Sequence, residues 1–156
     1  NWPLFVPILL LFTAFIGACA GSTGGGIKVI RTLILAKQSA GEITKLIHPN
    51  AVISIKLGKK AISPRIAESV WGFFSIYVIV FIILFMFLLA QGNDFITSFS
   101  AVGATLNNLG PGLGDVANNY QSLNDYSKIG LSIAMILGRL EIFTLLVLFT
   151  PAFWKK

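Results

Sequence analysis

The chain has 156 residues, of which 55% are hydrophobic and only 12% charged, with a mean hydropathy of +0.82. That balance excludes an ordinary soluble domain and predicts an all-α integral membrane protein. The net charge of +6 does not point to nucleic acid, because eight of the twelve basic residues (Lys28, Arg31, Lys37, Lys45, Lys56, Lys59, Lys60 and Arg65) lie between the first two apolar spans. A lone Cys19 excludes an internal disulfide framework and any multi-cysteine metal site. The chain opens on Asn1, inside an apolar run and without the basic start of a signal peptide, so it is expected to be part of a longer polypeptide.

The apolar run Leu4 to Ala20, with Trp2 at its interfacial edge, predicts a first transmembrane helix. Gly21-Ser22-Thr23-Gly24-Gly25-Gly26 then interrupts it, since three consecutive glycines do not sustain a helix. From Ile27 to Ile47 a helical period returns, with Val29, Leu33, Ala36, Ala40, Ile43 and Ile47 on one side and Lys28, Arg31, Gln38, Glu42 and Lys45 roughly opposite. Two readings of this segment are open: an interfacial helix lying on the membrane, or the second half of a span broken by the glycine loop. A helix broken inside the bilayer is tolerated only beside a conduction or substrate path.

His48-Pro49-Asn50 stops the helix. Ala51 to Leu57, a Gly58-Lys59-Lys60 turn and Ala61 to Ser63 predict a small β-hairpin. The basic surroundings put it on the cytoplasmic side by the positive-inside rule. His48 is the only histidine and reads as a helix-end polar residue rather than a ligand. Val70 to Ala90 is an apolar run of the roughly twenty residues that one crossing needs.

The segment from about Asp94 to Thr105 forms only about three helical turns, roughly half of what crosses the ~30 Å hydrocarbon core. Behind it Gly110, Pro111, Gly112 and Gly114 cannot continue a helix. The chain should therefore enter the membrane and turn back as a re-entrant loop. Extended backbone at that depth leaves carbonyl oxygens free, and a row of carbonyls can replace the hydration shell of an alkali cation, as in Thr-Val-Gly-Tyr-Gly filters. Asn108-Leu109-Gly110-Pro111-Gly112 keeps both glycine positions of that loop and departs at its threonine and tyrosine positions. A plain Gly/Pro turn between two spans is the competing reading. Asp94, Asp115 and Asp125, with Lys128 the one nearby base, place the mouth of the loop outside the cell, where acids concentrate cations.

Ile129 to Trp154 should return to the cytoplasm, anchored by Trp154-Lys155-Lys156. Arg139 lies near the middle of that span, where a charge costs about 2.5–3.5 kcal/mol on insertion scales. Glu141 is two residues away on another helix face, so an ion pair within the helix is poorly placed and Arg139 is expected to face the pore.

Gly21 to Lys28, His48-Pro49-Asn50-Ala51-Val52, Asn108 to Gly112 and Gly138-Arg139-Leu140-Glu141-Ile142-Phe143 together resemble the carboxy-terminal part of bacterial Trk-type potassium-uptake proteins, in the TrkH/TrkG branch of the Trk/Ktr/HKT superfamily. The resemblance covers nearly the whole chain. It implies four helix, pore-loop, helix repeats around one pore, working as a homodimer on a cytoplasmic nucleotide-binding regulatory subunit in the bacterial inner membrane. Residues 1–48 would be the second transmembrane helix of the third repeat, 49–65 a cytoplasmic hairpin linker and 66–156 the fourth repeat, with the other three repeats completing the pore. The filter set would be Thr105, Asn107, Asn108, Leu109, Gly110 and Pro111, with potassium, as permeant ion, at Leu109 and Gly110. No organic cofactor is implied. Gly21, Ser22, Thr23, Gly24, Gly25 and Gly26 match an intramembrane gate loop, and Arg139 matches the arginine facing it.

Rival readings are weaker. Gly21 to Lys28 fails as a phosphate-binding loop, because Ile27 separates Gly26 from Lys28 and Val29 stands where a magnesium-binding hydroxyl is needed. A membrane-embedded enzyme would need a nucleophile and base or paired acids, and the intramembrane polar residues offer only Arg139 and Glu141. A membrane scaffold or receptor would have no use for the re-entrant loop.

Overall fold

The computed structural model describes residues 5–19, 22, 24–50, 55–58 and 60–139. They form five α-helices and one two-stranded ladder: α1 (Phe5–Ile16), α2 (Val29–Ile47), β1 (Lys56–Leu57), β2 (Lys60–Ala61), α3 (Pro64–Ala90), α4 (Phe95–Leu106) and α5 (Asp125–Arg139), with a 3-10 turn at Gly114–Val116. Trp2, Glu141 and the Trp154-Lys155-Lys156 anchor lie outside the described residues, as does the last span beyond Arg139.

The first helix is shorter than the apolar run that encodes it. α1 has 12 residues, about 18 Å at 1.5 Å per residue, and does not cover a ~30 Å core. It stops because Gly17 turns left-handed at φ 75°, a conformation that glycine adopts without steric cost. A Cβ at Gly17 would stand 2.9 Å from the Gly25 carbonyl oxygen and 3.0 Å from the Lys28 nitrogen. The interruption thus begins four residues before Gly21. Its two ends meet: Ile27 N–H donates to the Phe15 carbonyl at 3.3 Å and Val29 N–H to the Ala18 carbonyl at 3.2 Å. The chain leaves the helical path at Gly17 and rejoins it at Ile27.

α2 does not pack through the face that its periodicity marks. Val29, Leu33, Ile43 and Ile47 are exposed, as are Ala36 and Ala40, whereas Ile34 and Gly41 are buried. Ile34 joins Ala67 and Val70 of α3 in a small apolar cluster that Ile30 and Leu35 flank. A strip of isoleucines between the two expected faces makes the contact, and the more apolar side is left for an apolar surround. The ladder pairs Lys56 with Ala61 and Leu57 with Lys60, so Lys60 belongs to a strand rather than to the turn. Lys37 Nζ donates to the Lys56 carbonyl at 2.7 Å and ties the ladder to α2.

α3 carries Pro64 in its first turn, where no N–H is missed. Its 27 residues, with a mean hydropathy of 3.0 over an 18-residue window, make it the one described helix long and apolar enough to cross a membrane. Gly92, at φ 84°, then reverses the chain. Asp94 caps α4 by accepting from the N–H groups of Ile96 (3.1 Å) and Thr97 (3.4 Å), a contact of the kind worth about 1 kcal/mol. From Thr97 to Leu106 only Phe99 is not fully buried. α1, α3 and α5 surround α4. Phe99 joins Phe12, Phe15, Phe81, Phe85 and Phe95 in a continuous set of ring contacts with centroids 5.3–6.4 Å apart. Gly103 lets Phe15 approach, a Cβ there meeting the ring at 3.2 Å.

Candidate functional site

α4 ends where the chain runs out of helix formers. Asn107 is its C-cap, Asn108 turns left-handed at φ 53°, and Gly110 lies at φ 102°. Asparagine is one of the few residues besides glycine that visits the left-handed region routinely. The last turn is closed by Asn107 N–H to the Gly103 carbonyl (3.2 Å), Asn108 N–H to Thr105 (3.1 Å) and Leu109 N–H to Ala104 (2.8 Å). Beyond it residues 109–113 are not helical, with Gly110 left-handed and Leu113 extended. Leu109, Gly110 and Pro111 are exposed, with Leu109 at 47%. Among the described residues the carbonyls of Asn108 and Leu109 accept no hydrogen bond. The Gly110 carbonyl accepts one, from the Tyr120 hydroxyl at 2.7 Å.

Two short polar side chains of α4 hold the returning limb. Ser100 Oγ accepts from the Leu113 N–H at 2.8 Å and donates to the Leu113 carbonyl at 3.1 Å, and Thr97 Oγ1 accepts from the Asp115 N–H at 3.3 Å. They are three residues apart, on one helix face. Gly112 and Gly114 admit this close approach, since a Cβ on Gly114 would meet Thr97 Oγ1 at 2.6 Å and one on Gly112 would meet Val116 at 2.6 Å. An open apolar cavity of about 430 Å³ separates Leu109, Pro111, Gly112 and Leu113 from α1.

Of the residues read as filter, Asn108, Leu109, Gly110 and Pro111 form the non-helical chain that leaves α4. Thr105 and Asn107 lie beneath it with their side chains engaged elsewhere. Thr105 is 4% exposed, and its hydroxyl donates back to the Ala101 carbonyl at 2.7 Å. Asn107 is 7% exposed; its Oδ1 accepts from the Tyr77 hydroxyl at 2.9 Å and its Nδ2 donates to the Gly103 carbonyl at 2.8 Å.

Of the glycine loop, Gly21 and Thr23 lie outside the described residues. Ser22 is exposed and forms a local turn, its N–H donating to the Cys19 carbonyl and its Oγ accepting from the Gly24 N–H, both at 3.0 Å. Gly25 and Gly26 reach the base of the non-helical segment. A Cβ on Gly25 would stand 2.6 Å from the Asn107 carbonyl oxygen, and one on Gly26 would stand 3.1 Å from Asn107 Oδ1. From the other side Gly138 of α5 lies against Leu106, where an added Cβ would collide with the Leu106 carbonyl oxygen and meet Asn108 Nδ2 at 2.9 Å. Asn108 Nδ2 donates to the Met135 carbonyl at 3.4 Å. Arg139, the next residue, is exposed and makes no hydrogen bond or ion pair among the described residues. The structure therefore brings Gly25, Gly26, Asn107 and Gly138 together at the C-terminus of α4.

Sequence reasoning passed over Tyr77, Tyr120, Thr97 and Ser100. The two tyrosines gave no local signal, since their partners are thirty and ten residues away. The i,i+3 spacing of Thr97 and Ser100 in an otherwise apolar half-helix was readable.

Among the described residues no group of three or more His, Cys, Asp or Glu could hold a metal ion. The negative end of the α4 dipole, about half an elementary charge, falls at the start of the 108–111 segment.

A family model described as a cation transport protein, TrkH, matches residues 1–156. The chain is 60% identical over its whole length to the Trk system potassium uptake protein TrkH of Escherichia coli strain K12, and 45% identical to TrkG of the same strain. It spans 32% of the length of each. It also superposes on the crystal structure of the potassium transporter TrkH from Vibrio parahaemolyticus with a TM-score of 0.90 and 57% identity, over 99% of this chain and 33% of that one. These relatives are transporters rather than enzymes, and a match over every residue decides the assignment: the chain belongs to the TrkH family of cation transport proteins.

Proposed function

We propose that this chain supplies one quarter of a potassium-conducting pore, with part of the preceding quarter, in a bacterial inner-membrane uptake protein. One observation carries the reading: a short, buried, capped helix delivers a non-helical segment, 108–111, in which the carbonyls of Asn108 and Leu109 accept no hydrogen bond among the described residues. Such oxygens are free to replace the hydration shell of a dehydrated cation, and they select by size and field strength rather than by fixed charge. In this reading potassium sits at Leu109 and Gly110, flanked by Asn108 and Pro111, while Thr105 and Asn107 hold the segment from below. The names of the relatives, potassium uptake proteins and a potassium transporter, support the choice of ion.

α3 and the last helix cross the membrane on either side of the re-entrant α4 and its loop. The basic segment and the C-terminus face the cytoplasm, and the mouth of the loop faces the periplasm. Three further repeats of the same polypeptide complete the pore, two copies associate, and a cytoplasmic nucleotide-binding subunit regulates them. The glycine loop, whose Gly25 and Gly26 lie against Asn107, closes the path below the filter, and Arg139 faces it across that path.

Substituting Gly110 tests this. No atom lies within 4 Å of a Cβ built there, so Gly110→Ser perturbs the backbone at φ 102° rather than the packing. In the complete transporter, reconstituted in proteoliposomes, the potassium-to-sodium flux ratio should fall roughly tenfold, as a strain of order 1–3 kcal/mol implies. An unchanged ratio at equal insertion removes the filter assignment.

A further inference from the structure

Gly110 is exposed, with nothing within 4 Å of a Cβ built on it, and its carbonyl is held by a hydrogen bond. The Tyr120 hydroxyl donates to the Gly110 oxygen at 2.7 Å, the one such bond to residues 108–111 carbonyls among the described residues. Tyr120 is itself fixed. Its ring packs against the main apolar core, which includes the buried Val116, Leu123 and Leu131, and its carbonyl accepts from the Leu123 N–H at 3.4 Å. On its far side a cavity of about 190 Å³, lined by Thr105, Lys128, Leu131, Ser132 and Met135, separates it from α5. Burial raises the Tyr120 pKa above its ordinary value, so the proton that makes the bond stays on the oxygen throughout the physiological range.

A carbonyl that already accepts one hydrogen bond is turned toward its donor and presents a weaker field to a cation than its free neighbours. Gly110 therefore differs from Asn108 and Leu109 in both orientation and ligand strength, for a reason lying outside the loop. We propose that Tyr120 is a positioning residue of the ion-coordinating segment: by holding the Gly110 carbonyl from outside, it sets how strongly that oxygen competes with water for a potassium ion as against a sodium ion. This rests on the reading of residues 108–111 as the filter.

The test uses the complete transporter in proteoliposomes, with potassium and sodium flux compared per inserted protein. Tyr120→Phe removes one hydroxyl and should lower the potassium-to-sodium ratio about fivefold, the factor expected for one neutral hydrogen bond. Tyr120→Leu should move it in the same direction, whereas Tyr126→Phe, at a ring 71% exposed, should leave it alone. A purely structural role for Tyr120 would lower the yield of inserted protein and its thermal midpoint but not the ratio per inserted transporter. If Gly110→Ser lowers the ratio and neither Tyr120 variant does, the positioning role is wrong and the filter reading stands. If Gly110→Ser has no effect, the filter reading falls, and this proposal with it.

Discussion

Asn107 is the residue on which the site turns, with its backbone N–H and both polar ends of its side chain hydrogen-bonded. Its side chain joins α3 to α4 through Tyr77 and Gly103, and its backbone carbonyl is the surface that Gly25 touches. Removing one partner of a buried hydrogen bond costs more than the bond itself contributes, about 1–3 kcal/mol for the group left unsatisfied. Asn107→Ala should therefore destabilise the protein more than Tyr77→Phe. The double variant should cost less than the sum, with a coupling of roughly 0.5–3 kcal/mol, measured by denaturation of the solubilised transporter. Additive effects would mean that the 2.9 Å contact carries no energy. Gly25→Ala makes a separate test, because its Cβ would sit 2.6 Å from backbone rather than from a side chain that can move away. The loop has to lift off Asn107, and basal flux should rise by several-fold at equal insertion; unchanged flux would detach the glycine loop from gating. The glycines and Pro111 could be read because their backbone preferences are local. Tyr77 and Tyr120 could not, since a tyrosine in an apolar run or a polar loop has the same local pattern whether or not its hydroxyl meets a carbonyl.

The half-helix is the element that the sequence specifies best. Asp94 supplies the cap, the apolar run is too short to cross, and the break falls at Asn107 and Asn108. What composition did not convey is that α4 also serves as the scaffold for the returning limb, through Thr97 and Ser100. Ser100→Ala leaves the Leu113 N–H without its acceptor at a half-buried position. It should cost about 1–3 kcal/mol, read as a lowered thermal midpoint, and should loosen the 109–113 segment in hydrogen exchange while leaving the core of α4 protected. Exchange that quickens throughout α4 would mean that the serine supports the helix itself. α1 went astray for a related reason. Its apolar run continues to Ala20, and hydropathy does not register that Gly17 is left-handed because the chain must turn back on Gly25 and Lys28. On α2 periodicity located the helix but not its packing face, since Ile30 and Ile34 lie beside the expected stripe and the choice between strips is made by α3.

On the scale of the molecule, the outward faces of the helices are apolar. Ile79, Ile82, Ile83 and Met86 of α3, Ile8, Leu9 and Phe12 of α1, and Ile129, Ile133 and Ile136 of α5 are all exposed, as suits a member of a membrane-transporter family whose curated relatives are about three times as long as this chain. Arg139 belongs to this scale because the role proposed for it is on the path through the whole pore. A fixed charge beside that path opposes a cation by about 3 kcal/mol at an effective dielectric constant of about 20 and a roughly 5–6 Å approach. Arg139→Ala should therefore raise potassium flux, and Arg139→Lys should keep part of the barrier, since the charge remains and the planar fork is lost. Lower or equal flux per inserted Arg139→Ala protein would show that the arginine is no barrier.

The stitched ends of the break after Gly17 carry one more consequence. Because Phe15 stays bonded to Ile27 and Ala18 to Val29, a displacement of Gly24, Gly25 and Gly26 need not tilt either helix. Opening would then be a change of loop shape, on the nanosecond-to-microsecond scale of loops rather than the microsecond-to-millisecond scale of hinged domains. It would expose little additional apolar surface, so the heat-capacity change between closed and open states should be small. A regulator acting through α2 would need to pull on two anchors, the Ile27 and Val29 amides.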